Sequence, residues 1–270
     1  MNDFIPRLHM CPSDIIDLIK NAESDLASEA ERLLRLIRWR QFCDAPGEIL
    51  KHSALYWRVG EGDFPITPHN GDPSRELTIH GMFGVHWSEE HSTDLQELWN
   101  ERDVIEPLGH TLLREARDLA STSPRSSILM MTTALETAVK MHISSIAPDT
   151  MWLMQEIPSP PIFKVLRDYI PLIHRNRGIE LDFWNFVKPL INRVQKLTEV
   201  RNKVAHTGKI PDHAGPLQDD FELVLDFLYL LDVLEGHEWA KSLVSSELRK
   251  TLGWPDPKDS RIKIIVTEGY

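Results

Sequence analysis

The stretch from Lys196 to Lys209, KLTEVRNKVAHTGK, brings a guanidinium, a carboxamide and an imidazole close together in the chain: Arg201, Asn202 and His206. Val194, Leu197, Val200 and Val204 recur at steps of three and four, so the segment reads as a helix burying one stripe. Gly208 and then Pro211 stop it, leaving His206 and Lys209 in or just past the last turn. At helical spacing Asn202 and His206 lie about 40° apart on successive turns. Arg201 stands about 140° round from His206 and roughly 7.5 Å along the axis, a gap its long side chain can close toward a phosphate bound near both. The plain alternative is a helix end whose cations complement its dipole.

Other chemistries find little material. Gly60, Gly62, Gly71, Gly81 and Gly84 are scattered and precede no Lys-Ser/Thr, so no phosphate-cradling loop is written. Cys-x-x-Cys, His-Glu-x-x-His and Gly-x-Ser-x-Gly do not occur. Ser260 and Lys263 satisfy Ser-x-x-Lys, but in a tail segment that reads as a strand. His52, His69, His80, His86 and His91 match no zinc spacing. The expectation is therefore a site with no metal and no cofactor.

The elements that must position Arg201 and His206 are mostly helices. Ser13 opens an amphipathic helix to about Phe42, with Ile15, Ile19, Ala22, Leu26, Ala30, Leu33 and Ile37 on one stripe and a break near Ser24. From Gly47 to Trp87 the helical period disappears. Ser53 to Val59 and Glu76 to His86 read as strands around a long loop, and Arg261 to Thr267 as a further strand that could pair with them. Thr93 and Gln96 fit a capping box.

Beyond it come helices over Leu108 to Ala120, and from Pro124, capped by Ser123, to about Ile146. Phe163 to Ile173, Asp182 to His206 with a kink at Pro189, Pro216 to Glu235, and Glu238 to Leu252 complete the series. The second helix turns Ile128, Met131, Leu135, Ala138 or Val139, and His142 inward. Leu223 to Leu234 is apolar almost all round, hence a central core helix or a dimer face. The fold class expected is mainly α, a helical bundle over 105–252 preceded by a small α+β module over 1–104 that the strand at 261–267 could join.

Arg201-Asn202-Lys203-Val204-Ala205-His206 is an Arg, a polar residue, three more and a His, late in a helical bundle. With Gly208 two residues after the His, and the upstream helix Thr133-Ala134-Leu135-Glu136-Thr137-Ala138-Val139-Lys140, the region from about 105 to 250 resembles the HEPN superfamily. That resemblance implies a metal-independent endoribonuclease that dimerises to bring two motifs into one cleft. Its products would end in 2′,3′-cyclic phosphate. Cleavage through the 2′-hydroxyl needs a base, an acid and positive charge at the phosphorane. His206 would serve as general acid or base, Arg201 would fork onto the phosphate, and Asn202 would orient the ring or donate to the phosphate. Lys203, Lys196, Lys209 and Glu136 would support RNA binding, Glu136 by pairing with Arg201 or His206 unless it bridges Lys140 instead. Expected partners are RNA, a second copy of the chain, and an inhibitor or activator protein at residues 1–104. A toxin or antiviral defence effector fits that set. The alternative is a non-catalytic HEPN-like binding or dimerisation module.

Composition narrows the classes. The 270 residues are 41% hydrophobic and 26% charged, ordinary globular usage that excludes disorder and low complexity. Lys and Arg number 30 against 41 Asp and Glu, a net charge of −11, which repels bulk nucleic acid and anionic lipid. RNA must then meet a local patch. From Lys188 to Lys209 six cations, Lys188, Arg193, Lys196, Arg201, Lys203 and Lys209, stand against Glu199 alone, whereas Asp212 to Glu235 carries seven acids and no Lys or Arg. Either the first segment is a basic cleft or the two compensate each other. Two cysteines, Cys11 and Cys43, make no disulfide framework, and no apolar run approaches the roughly 20 residues of a membrane span. A cytoplasmic protein without membrane contact is expected.

Overall fold

The computed structural model describes residues 13–41, 89–156 and 161–256. Every regular element among them is helical, as the mainly α reading expects. The strands expected over 53–59, 76–86 and 261–267 lie outside the described residues, as do Cys11, Cys43, His52, His69, His80 and His86. Among the described residues no helix is long and apolar enough to cross a membrane. They fall into two compact units, one with 13–38 and 89–102, the other with 39–41, 103–156 and 161–256.

The smaller unit holds most of α1 (Ser13–Gln41) and α2 (Glu89–Asn100). The break expected near Ser24 does not occur. Ser24 and Asp25 are exposed on a helix that continues into SEAERLLRLIRWR, where good helix formers and the Glu31–Arg35 bridge at 2.6 Å sustain it. The Thr93 and Gln96 capping box is also overturned: Glu89 to Ser92 are already helical, so Thr93 is an interior residue. Gln96 spends its amide on Asn100 Oδ1 at 2.9 Å. Arg32 ties the two helices. Its guanidinium donates to the carbonyls of Trp99 (3.2 Å), Leu98 (3.3 Å) and Glu101 (2.8 Å), the acceptors that the end of α2 leaves open.

The larger unit is a bundle. α3 (Leu108–Asp118) and α4 (Pro124–Ile146) pack against each other and against α9 (Leu217–Leu234), and α4 and α9 both touch α8 (Trp184–Thr207). Gly109 lets α3 come close. A Cβ there would sit 2.8 Å from Ala138 Cβ, 3.1 Å from Leu228 Cδ2 and 3.2 Å from the Ala134 carbonyl. α9 is the central core helix rather than an exposed face. Phe221, Val224, Phe227, Leu228, Tyr229 and Leu230 are buried, and so are Asp226 and Asp232. Asp232 accepts from the Trp39 indole and meets His110 Nε2, each at 2.8 Å, which satisfies a carboxylate that burial would otherwise penalise.

Between α4 and α8 the chain makes a 3-10 turn (Pro148–Thr150), α5 (Met151–Glu156), α6 (Ile162–Lys164), a π turn (Val165–Tyr169) and α7 (Ile170–Arg175). Pro171 explains the π turn. It has no N–H, and in a regular α-helix its ring would clash with the preceding turn. The Ile170 amide reaches back to Val165, and the Leu166 carbonyl, whose next i+5 partner would be Pro171, takes the Trp184 indole at 2.8 Å instead. The single helix expected over Glu238 to Leu252 is two pieces, a 3-10 turn (Glu238–Ser242) and α10 (Ser246–Leu252). Ser245 breaks it. Its backbone N–H and hydroxyl bond Asp226 at 2.6 and 2.7 Å, and its oxygen also caps α10 through the Leu248 amide at 3.3 Å.

Candidate functional site

α8 carries the Arg201–His206 segment and buries Val187, Ile191, Val194, Leu197, Val200 and Val204. It runs on through Pro189 and ends at Gly208, whose φ of 65° is left-handed and whose amide closes onto Val204 O at 2.8 Å. Two further bonds fix this end. Thr207 Oγ1 donates to Lys203 O at 2.7 Å, and Arg125, from the start of α4, donates to Gly208 O at 3.2 Å. Beneath it Ile128, Val200 and Val204 form an apolar layer with Leu129, Ala214 and Leu217.

Arg201, Asn202 and Glu136 are brought together. Arg201 Nη1 donates to Asn202 Oδ1 at 3.1 Å, and Nη2 lies 3.9 Å from Glu136 Oε1, with the Arg201 side chain 34% exposed. Among the described residues Arg201 Nε has no hydrogen-bond partner. Of the three pairings open to Glu136 in the sequence, the contact is with Arg201. His206 is not part of this group. It is exposed one turn beyond Asn202 on α8, with no hydrogen bond or ion pair among the described residues. Lys203 and Lys209 are exposed near the same end, and Lys209 donates its backbone N–H to Thr207 Oγ1 at 3.2 Å.

Lys196 stands elsewhere, on a cleft of about 470 Å³ between α8 and the start of α9. Leu197, Val200 and Ala214 supply apolar lining; Arg193, Lys196, Glu199, His213, Asp219 and Asp220 supply the polar groups. Arg193 Nη2 donates to Asp219 O at 2.9 Å. Burial raises the Asp220 carboxyl to about 6, with Arg193 opposing and Asp219 reinforcing that shift. The basic segment and the acidic one therefore meet along one open groove. Sequence reasoning counted Arg193, Asp219 and Asp220 as charge but did not place them in a site. No local spacing links residues from two helices in this way.

A second polar group runs from the bundle interior to its surface, two buried histidines ending on the exposed Glu235. His142 Nδ1 lies 3.0 Å from Glu235 Oε1 and His142 Nε2 lies 3.1 Å from His174 Nε2, both rings being almost fully buried. Among the described residues His174 Nδ1 has no partner. One proton arrangement satisfies every donor: Nε2–H of His174 donates to His142, and Nδ1–H of His142 donates to Glu235. Burial, then the charges at His142 and Arg177, lower His174 to about 4. Burial alone would raise Glu235, but the hydrogen bond and charge of His142, with His237 and Ser145, hold it below its ordinary range.

No protein-family model matches this chain, and no curated protein or solved structure matches it either.

Proposed function

We propose that the bundle is a metal-independent endoribonuclease of HEPN type, in which Arg201 holds the scissile phosphate and His206 moves protons. One observation carries this reading: His206 is exposed on the same helix as an Arg201 whose guanidinium keeps a solvent-facing side, steadied by Asn202. A base takes the 2′-hydroxyl proton, the 2′-oxygen attacks phosphorus, and the bond to the 5′-oxygen breaks as an acid protonates it. The products are a 2′,3′-cyclic phosphate and a 5′-hydroxyl. About 140° separates the two side chains around α8. A second copy of the chain, offering its own His206 across a two-fold axis, would supply the acid that complements the first base. Lys203 and Lys209 extend the positive strip for the RNA backbone, and residues 1–104 would take a controlling protein, as in a toxin or defence effector.

The contact of Arg201 with Glu136 favours a second reading, a HEPN-like binding or dimerisation module without catalysis. One experiment separates the two. Purified protein is incubated with mixed RNA in EDTA beside His206→Ala and Arg201→Ala, and the ends are analysed. The nuclease reading expects cyclic-phosphate ends from the unaltered protein and at least a roughly hundredfold loss in each variant. Equal cleavage by all three proteins overturns it, and RNA binding with no cleavage by any of them establishes the module.

A further inference from the structure

The cleft that holds Lys196 is lined by opposites. Arg193 and Lys196, three residues apart on α8, are neighbours on one helix surface. Facing them are Asp219 and Asp220 from the first turn of α9, with Glu199 on the α8 side. Leu197, Val200 and Ala214 give an apolar patch, and His213 comes from the exposed connection between the helices. A purely anionic ligand would meet three carboxylates here, and a purely cationic one two cations. A ligand with a negative end, a flat apolar body and a hydrogen-bond donor edge fits both. About 470 Å³ is too large for a free amino acid and within the usual range for a small-molecule site.

We propose that this cleft is a nucleotide pocket for guanine, with the phosphate on Arg193 and Lys196, the base against Ala214 and the edge of Val200, and its N1–H and N2–H donors on Asp220. The same chemistry is offered by free guanosine monophosphate and by one residue of an RNA strand, and only the second case rests on the nuclease reading above. Guanine is selected because a carboxylate accepts two parallel N–H bonds from its edge. Uracil presents one N–H between two carbonyls, which a carboxylate repels. Adenine and cytosine place an acceptor nitrogen beside the amino group and need a protonated carboxyl. With Asp220 held near 6, the carboxylate is mainly ionised at neutral pH.

The full chain is titrated calorimetrically at pH 7.5 with guanosine, adenosine, cytidine and uridine 5′-monophosphates. Guanosine monophosphate should bind roughly tenfold or more tightly than uridine monophosphate. Asp220→Asn should abolish that preference, and Lys196→Ala, at an exposed position, should weaken all four alike while keeping it. Two deoxy-hexamers, with and without one guanine, separate the sources. A guanine hexamer that binds more tightly than the free nucleotide assigns the pocket to a strand; equal hexamers beside a tight mononucleotide assign it to the free ligand. No binding of guanosine monophosphate, equal affinity for uridine monophosphate, or an unchanged preference in Asp220→Asn overturns the proposal. Cleavage of RNA that depends on His206, observed beside a failed titration, removes the pocket and leaves the nuclease standing.

Discussion

His174 bonds His142 through one ring nitrogen and, among the described residues, nothing through the other, so its burial has a thermodynamic signature. Folding lowers it from 6.5 to about 4, hence the unfolded chain takes the proton first as pH falls. This contribution to stability is intact above pH 6.5 and is lost as pH drops from there to about 4. Urea unfolding at pH 7 and pH 4.5 should show the unaltered protein losing about 2 kcal/mol more than His174→Gln over that interval. Equal losses in the two proteins would place the acid sensitivity elsewhere. That Arg201 and His206 share one helix was legible from the apolar stripe between them. Its partner was only partly legible: the sequence allows Glu136 three pairings, and only packing of α4 against α8 selects Arg201.

Element boundaries set by local chemistry could be read directly. Pro124 opens α4, although Ser123 turns its hydroxyl to Ser126 Oγ at 2.8 Å and makes no side-chain cap, and Gly208 closes α8, because fixed φ and freedom at positive φ belong to those residues themselves. Where the expectation failed, the deciding group was far away or the signal was redundant. Ser245 interrupts the last helix because Asp226 of α9 takes both its donors. Thr93 does not start α2 because the preceding acids are equally content in a helix. The α3–α4–α9 crossing is likewise set by distant neighbours, and Gly109 marks it. Gly109→Ala gains at most about 1 kcal/mol in helix propensity but inserts a methyl where Ala138 and Leu228 leave no room, at a cost of about 1–3 kcal/mol. A melting temperature lower by roughly 2–6 °C is expected; an unchanged or higher value would mean the crossing relaxes freely.

For the molecule as a whole, a net charge of −11 opposes contact with RNA, so the nuclease reading depends on the cations of α8 and its end. If Lys196, Arg201, Lys203 and Lys209 supply three or four phosphate contacts, the logarithm of single-strand affinity should fall against the logarithm of salt with a slope of about −2 to −3. Filter binding with His206→Ala, which keeps RNA intact under the nuclease reading, measures it; a slope near zero would remove the basic strip as an RNA surface. The cleft itself could not be read from the chain, because Lys196 and Asp220 become neighbours only once two helices pack. The joint between those helices has one more implication. Arg125 holds the first residue after α8, while Lys209 and Ile210 just beyond it are exposed. A single tryptic cut after Lys209 would therefore sever no buried residue from its neighbours, yet it would free the tether of His213. A molecule nicked there would keep the floor of the cleft while its rim hung from one side only.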